Sequence, residues 1–220
     1  MEVAAGMLDG AWLTAGYLLA GAVFLFAGLT APWHRLKSTE IQHAVFGGIV
    51  ALIALWWIRA GIVPGLGFHF LGVTTLTLMF GWQIACLSAI PVLLAGLFIG
   101  HGDVGGFGLN ALLLFALPAG VTWLIYRLAS RWLPWNFFIY VFINSYLAAA
   151  LSMGLATLAM SGVQIAGGAT TSAYLWHYYL PFLPLLLLAE GFINGMVVAV
   201  LVATRPDWVW TFEDSRYLRH

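Results

Sequence analysis

Long apolar runs separated by short clusters of proline, glycine and charged residues dominate the chain. A helix needs about 20 apolar residues to cross a bilayer core. The runs predict membrane helices over residues 11–29, 41–58, two sharing 68–99, 108–128, 136–160 and 174–204. The first ends at Pro32-Trp33, ahead of His34-Arg35-Leu36-Lys37. Gly81 is the natural break inside 68–99, leaving a short third segment and a fourth that contains Pro91. Pro118 lies within the fifth run, and Pro181 and Pro184 stand near the start of the last. The length of that last run predicts tilt or a non-spanning lead-in. Residues 161–172, rich in Gly, Ala and Thr, read as an outer loop, and residues 207–220 as a short cytoplasmic tail of mixed charge.

Composition narrows the class. Charged residues make up 7% and hydrophobic ones 63%, against roughly 25% charged in a soluble domain. Lipid is therefore the solvent over most of the surface, and only helices or a closed barrel satisfy their backbone there. A barrel would alternate apolar and polar positions, whereas these runs are continuous. The expected fold is all-α: a single transmembrane domain over 1–220 with about seven helices. A net charge of zero argues against nucleic acid as a partner. Cys86 stands alone in an apolar run and reads as a buried thiol. The N-terminus has no positive region of the kind a cleaved signal peptide carries.

Charge sets the orientation. With seven spans and an outside N-terminus, Arg35, Lys37, Arg127, Arg131, Arg205, Arg216 and Arg219 face inward, leaving Arg59 outside. A single span over 68–99 would break this pattern. Trp33, Trp56, Trp57, Trp132, Trp135, Trp208 and Trp210 stand at predicted span ends, as interfacial aromatics do. The C-terminus is then cytoplasmic, and the chain a multi-pass protein of a bacterial-type inner (plasma) membrane.

This topology sorts the polar residues. Glu2, Asp9, His69, His101, Asp103 and His177 fall on the outer half, and imidazoles with carboxylates suit divalent metals from nickel to zinc. His69 opens the third segment after Pro64-Gly65-Leu66-Gly67-Phe68. It reads either as a structural donor or as a functional intramembrane group. His101-Gly102-Asp103 lies in a glycine-rich turn leading to Asn110, which could cap a helix or orient a ligand. Glu190, deep in the last run, requires protonation or a partner such as Asn194 or Asn144. Gly16, Ala20, Ala27 and Gly28 in the first run either admit a partner helix or pack the chain's own bundle. There is no zinc-protease helix, nucleophile elbow or phosphate loop. The chain is therefore read as a non-enzyme that does not itself use ATP.

Several segments, in order, resemble the CbiM/NikM family, the substrate-binding membrane subunits of energy-coupling factor (ECF) transporters for cobalt and nickel. Met1-Glu2-Val3-Ala4-Ala5-Gly6-Met7-Leu8 is similar to that family's Met-His-Ile-Pro-acid-Gly-Phe-Leu opening. His69-Phe70-Leu71-Gly72-Val73-Thr74, the stretch Gly102-Asp103-Val104-Gly105-Gly106-Phe107-Gly108-Leu109-Asn110, and Glu190-Gly191 resemble later family motifs. The resemblance implies that residues 1–10 form an outer metal-binding segment. It carries the ligand role to the Met1 amine, residue 2 and His69. Asp9, His101, Asp103 and Asn110 are then second-shell or entry-path residues. Glu2 departs from the family histidine, and Ala4 and Ala5 from its Pro and acid, which shifts the site toward more oxygen-rich coordination.

The leading expectation is a substrate-capture subunit for a divalent transition metal, Co2+ or Ni2+ favoured. It has no cofactor of its own and works in the bilayer with a separate membrane coupling subunit and cytoplasmic ATPases. The alternatives are a solo carrier for a metal or small solute, and a structural membrane subunit whose metal site is lost.

Overall fold

The computed structural model describes residues 2–4, 6–61, 67–100 and 102–217. Met1, Ala5, Pro64, Gly65, Leu66, His101 and Arg219, all named above, lie outside the described residues.

The chain opens with a strap, residues 2–4 and 6–9, and then forms α1 (Gly10–Thr30) and α2 (Thr39–Trp57). Both match their apolar runs, because clusters of charge bound them on either side. A two-stranded antiparallel hairpin follows, β1 (Arg59–Gly61) and β2 (Gly67–His69), which hydropathy does not reveal. Next come α3 (Val73–Phe80), α4 (Trp82–Phe98), α5 (Phe107–Trp132), α6 (Phe137–Ala166), a short α7 (Ser172–Tyr178), α8 (Leu183–Thr204) and α9 (Asp214–Tyr217).

Among the described residues, five helical stretches can cross a membrane by length and composition: Gly10–Thr30, Thr39–Trp57, Phe107–Trp132, Phe137–Ala166 and Leu180–Thr204. Large apolar side chains such as Leu18, Leu29, Phe142 and Leu185 stand exposed along them, as lipid contact requires. The break at Gly81 is where the sequence puts it, with φ at 85°, a conformation that glycine alone adopts freely. Eight-residue α3 rises only about 12 Å, too little to cross alone. The last run does have a separate lead-in: α7, then a tight turn at Leu180–Phe182, then α8. Two details differ from expectation. α6 runs on to Ala166, so the outer loop is shorter. Trp56 is no interfacial anchor but a core residue, 4% exposed.

The C-terminal segment is not free. The amides of Trp210 and Thr211 donate to the carbonyls of Met79 and Leu78. These are end-of-helix acceptors on α3 that have no partner within their own helix. Phe212 and Tyr217 are buried with Tyr140, whose hydroxyl bonds Thr211. α3 thus sits at the centre, tied below by this segment. Thr74, Thr122 and Ser152 form a hydrogen-bonded chain linking it to α5 and α6.

The small residues of α1 largely serve the chain's own packing. Gly16, Ala20 and Ala27 are buried, while Gly28 faces open space. A Cβ on Gly108 would lie 2.6 Å from the Tyr17 amide nitrogen, so α1 and α5 cross backbone to backbone. In α5 the turns over Leu112–Ala116 widen to π geometry just ahead of Pro118, whose ring cannot donate to the carbonyl one turn back.

Candidate metal-capture site

The hairpin register pairs Arg59 with His69 across the ladder. Directly opposed residues project to the same face, and here both side chains reach Glu2. The Arg59 guanidinium donates to Glu2 through both terminal nitrogens, to Oε2 at 3.0 Å and Oε1 at 2.9 Å. This is the bidentate geometry in which Arg–carboxylate pairs are strongest. Arg59 Nε donates to the Trp56 carbonyl at 2.9 Å, fixing the guanidinium from behind. His69 Nε2 lies 3.5 Å from Glu2 Oε1. That nitrogen is buried and makes no hydrogen bond, while Nδ1 faces the Phe70 carbonyl at 3.3 Å. The hairpin lies between α2 and α3, outside the helical spans. There burial, aided by Arg59, holds the His69 imidazole well below its ordinary range. A neutral imidazole is the form that ligates metals.

Two sets of contacts hold the donors in place. The first fixes the strap. The Val3 amide donates to Asn110 Oδ1 at 2.8 Å, and Asn110 Nδ2 donates back to the Val3 carbonyl at 2.9 Å. Val3 and Leu8 are buried, so each end of the strap is also anchored by apolar contact. A Cβ on Gly106 would lie 1.8 Å from the Val3 carbonyl oxygen, so glycine there makes room for the strap.

The second set fixes His69. Its ring packs on Trp56 with centroids 4.4 Å apart, and Trp56 Nε1 donates to the Leu71 carbonyl at 3.1 Å. The Glu190 carboxylate on α8 receives the Leu71 amide at 2.9 Å, the Gly72 amide at 2.8 Å and Asn194 Nδ2 at 2.9 Å. Asn194 Oδ1 in turn accepts from the Thr75 amide and hydroxyl. Of the two partners expected for Glu190, Asn194 is the one found. Asn144 Oδ1 has no hydrogen-bond partner.

The remaining sequence candidates are distributed as follows. Asp103 and Asn110 line one narrow crevice with Glu2, Trp56 and Arg59. Asp103 Oδ1 accepts from the Gly105 amide at 2.7 Å, which folds the glycine-rich loop. Asp9 is exposed just ahead of α1 and makes no side-chain cap. His177 is exposed on α7, its ring against Tyr178. Among the described residues, no three His, Cys, Asp or Glu side chains converge. Glu2 and His69 are the two that do. Sequence reasoning missed Arg59, Val3, Gly106 and Trp56. For Arg59 a signal was present, since it is the lone basic residue assigned to the outer face and Glu2 lies on that same face.

Residues 2–208 match the family profile CbiM, described as "Cobalt uptake substrate-specific transmembrane region". The chain belongs to the CbiM family. It is also 26% identical over 208 residues to "Putative cobalt transport protein CbiM 1" of Methanosarcina barkeri, covering 92% of this chain and 90% of that one. Two solved structures share the fold. One is a truncated transition metal transporter (TM-score 0.74, 18% identity, 92% of this chain and 99% of that one). The other is a transition metal transporter (TM-score 0.72, 19% identity, 92% and 93%). Like other CbiM chains, this one is a multi-pass membrane component of metal uptake and not an enzyme. The strap, the hairpin histidine and the 102–110 loop all lie within the matched CbiM region.

Proposed function

We propose that this CbiM chain is the substrate-capture subunit for a divalent transition metal, Co2+ or Ni2+. It works with a membrane coupling subunit and cytoplasmic ATPases in a bacterial-type plasma membrane. Its strap faces outward, its C-terminus faces the cytoplasm, and the chain passes the membrane seven times if α3 and its flanks count as one passage. One observation carries the reading. A buried imidazole nitrogen with no hydrogen bond, His69 Nε2, faces a carboxylate oxygen held at 3.5 Å on a pinned strap. A buried polar atom left unpaired is destabilising, and a metal ion between these two donors would use both. The Met1 amine is the third donor in this proposal.

The test is competition binding of Co2+ and Ni2+ on purified protein whose chain starts at Met1 and whose tag is C-terminal. Stoichiometric binding that disappears in His69→Ala, and in a variant extended ahead of Met1, supports the reading. Binding unchanged in both variants defeats it.

A second reading draws on the Glu2–Arg59 pair. A bidentate guanidinium satisfies the carboxylate without metal, as in a structural subunit whose site is lost. Absence of any transition-metal binding by the unaltered chain would select that reading.

A further inference from the structure

We infer that the groove between α2 and α8 is a binding site for one membrane phospholipid. Its acyl chain fills the groove and its phosphate meets Arg205. The inference goes beyond the metal reading and stands without it.

α2 and α8 flank α3 and leave between them a cavity of about 420 Å3, lined by Gly47, Ala51, Leu52, Leu76, Val197 and Leu201 among others. Thr75 and Asn194 also line it, but they bond each other, and Asn194 bonds Glu190 as well. A buried water needs about two to four polar partners, so this cavity suits hydrocarbon. Gly47 and Ala51, exposed on α2, leave its flank open to the bilayer. The groove is blind at the end near the hairpin, where α2 closes onto the start of α3. A Cβ on Gly72 would lie 2.8 Å from Leu52 Cδ1 and 3.0 Å from Leu55 Cδ2. The other end reaches the exposed His43 and the half-buried Trp208. From Leu55 to His43 α2 rises about 18 Å, a little over one leaflet of a hydrocarbon core about 30 Å thick. An acyl chain entering from that leaflet ends where the groove ends. A partner helix crosses the whole core and would meet a groove open at both ends.

The open end carries the charge a phosphate needs. Arg205 follows the last residue of α8, and its guanidinium lies 5.6 Å from the centre of the Trp208 ring. Its Nη1 stands 3.7 Å from Glu40 Oε1, which accepts the closer Trp208 Nε1 at 3.0 Å. That ion pair is loose and exposed, so most of the guanidinium donors remain for phosphate oxygens. Tryptophan at the mouth marks the level of lipid headgroups. Arg35, stacked over Trp210, and Lys37, exposed ahead of α2, bring further positive charge to this end against Glu40 and Asp207. Apolar depth and a cationic mouth together match a phospholipid and no simple hydrocarbon.

The experiment is native mass spectrometry of the full chain, released from detergent micelles doped with dioleoyl phosphatidylglycerol. The expected result is a single phospholipid adduct that saturates as the lipid is raised. Gly47→Leu combined with Ala51→Leu fills the groove. A Cβ on Gly47 meets nothing within 4 Å, and leucine is a better helix former than glycine, so helix content by circular dichroism should hold. The adduct should vanish in this double variant. It should persist in Gly21→Leu, which adds the same bulk to an open face of α1, and weaken in Arg205→Gln. The absence of a saturating adduct on the unaltered chain overturns the inference. So does an adduct that survives in the filled variant, or one retained equally in Arg205→Gln. A filled variant that keeps its lipid and binds Co2+ as the unaltered chain does, yet fails to support uptake in cells, overturns it in favour of a partner helix in the groove.

Discussion

Asn110 and Val3, 107 residues apart, exchange two hydrogen bonds, the amide side chain both accepting from and donating to the same backbone unit. The pair is buried, so neither partner has water as an alternative. Asn110→Ala leaves the Val3 amide and carbonyl unsatisfied, at a cost of about 1–3 kcal/mol per group. The strap should detach before the bundle melts. Hydrogen exchange at Val3 should rise, and metal affinity should fall with it.

Gly106→Ala tests the same strap from the other side. A methyl group 1.8 Å from the Val3 oxygen cannot be accommodated without moving backbone. The expected phenotype is loss of metal binding with unchanged helix content, read by binding and circular dichroism on one preparation. Full affinity in this variant would contradict the strap's placement.

Glu190→Gln probes the support beneath His69. Glutamine offers one acceptor oxygen where the carboxylate offers two, and turns an NH2 toward an amide donor. The Leu71 or Gly72 amide is left unpaired. Destabilisation of about 1–3 kcal/mol is expected, seen as a lower melting temperature in detergent. Asn194→Ala should act in the same direction, because Asn194 bonds both Glu190 and Thr75.

Trp56→Phe keeps a ring beside His69 but removes the donor to the Leu71 carbonyl. The loss should be about 1 kcal/mol of stability, with a modest weakening of metal binding. Trp56→Ala should be far worse, since it empties a core position and leaves the imidazole without its packing partner. Comparing the two variants by thermal melting and metal titration separates the hydrogen bond from the packing.

The sequence reveals these features unequally. α1 and α2 are legible because an apolar run between charged clusters has one physical solution in lipid. Gly81 is legible for a local reason, the φ it adopts. His69 stands out because an ionisable group beside a membrane span needs a purpose. The hairpin is not legible: each strand has three residues, and opposing Arg59 to His69 requires two chain directions to meet. The Val3–Asn110 pair is hidden too, since a buried asparagine near a helix start reads equally well as a cap. Trp56 misleads for a related reason. A tryptophan at a span end resembles an interfacial anchor until tertiary packing buries it. The C-terminal segment, polar enough to suggest a free tail, is held by backbone bonds to α3 that leave no trace in side-chain pattern.

The most direct test of the central claim is the position of a bound metal. Crystals of the native-N-terminus protein grown with Co2+ and measured at the cobalt absorption edge would reveal it by anomalous scattering. The account predicts one peak per chain within bonding distance of both His69 Nε2 and Glu2 Oε1. A peak elsewhere, at Asp103 or His177 for example, or no peak in crystals that retain the Glu2–Arg59 pair, would contradict it.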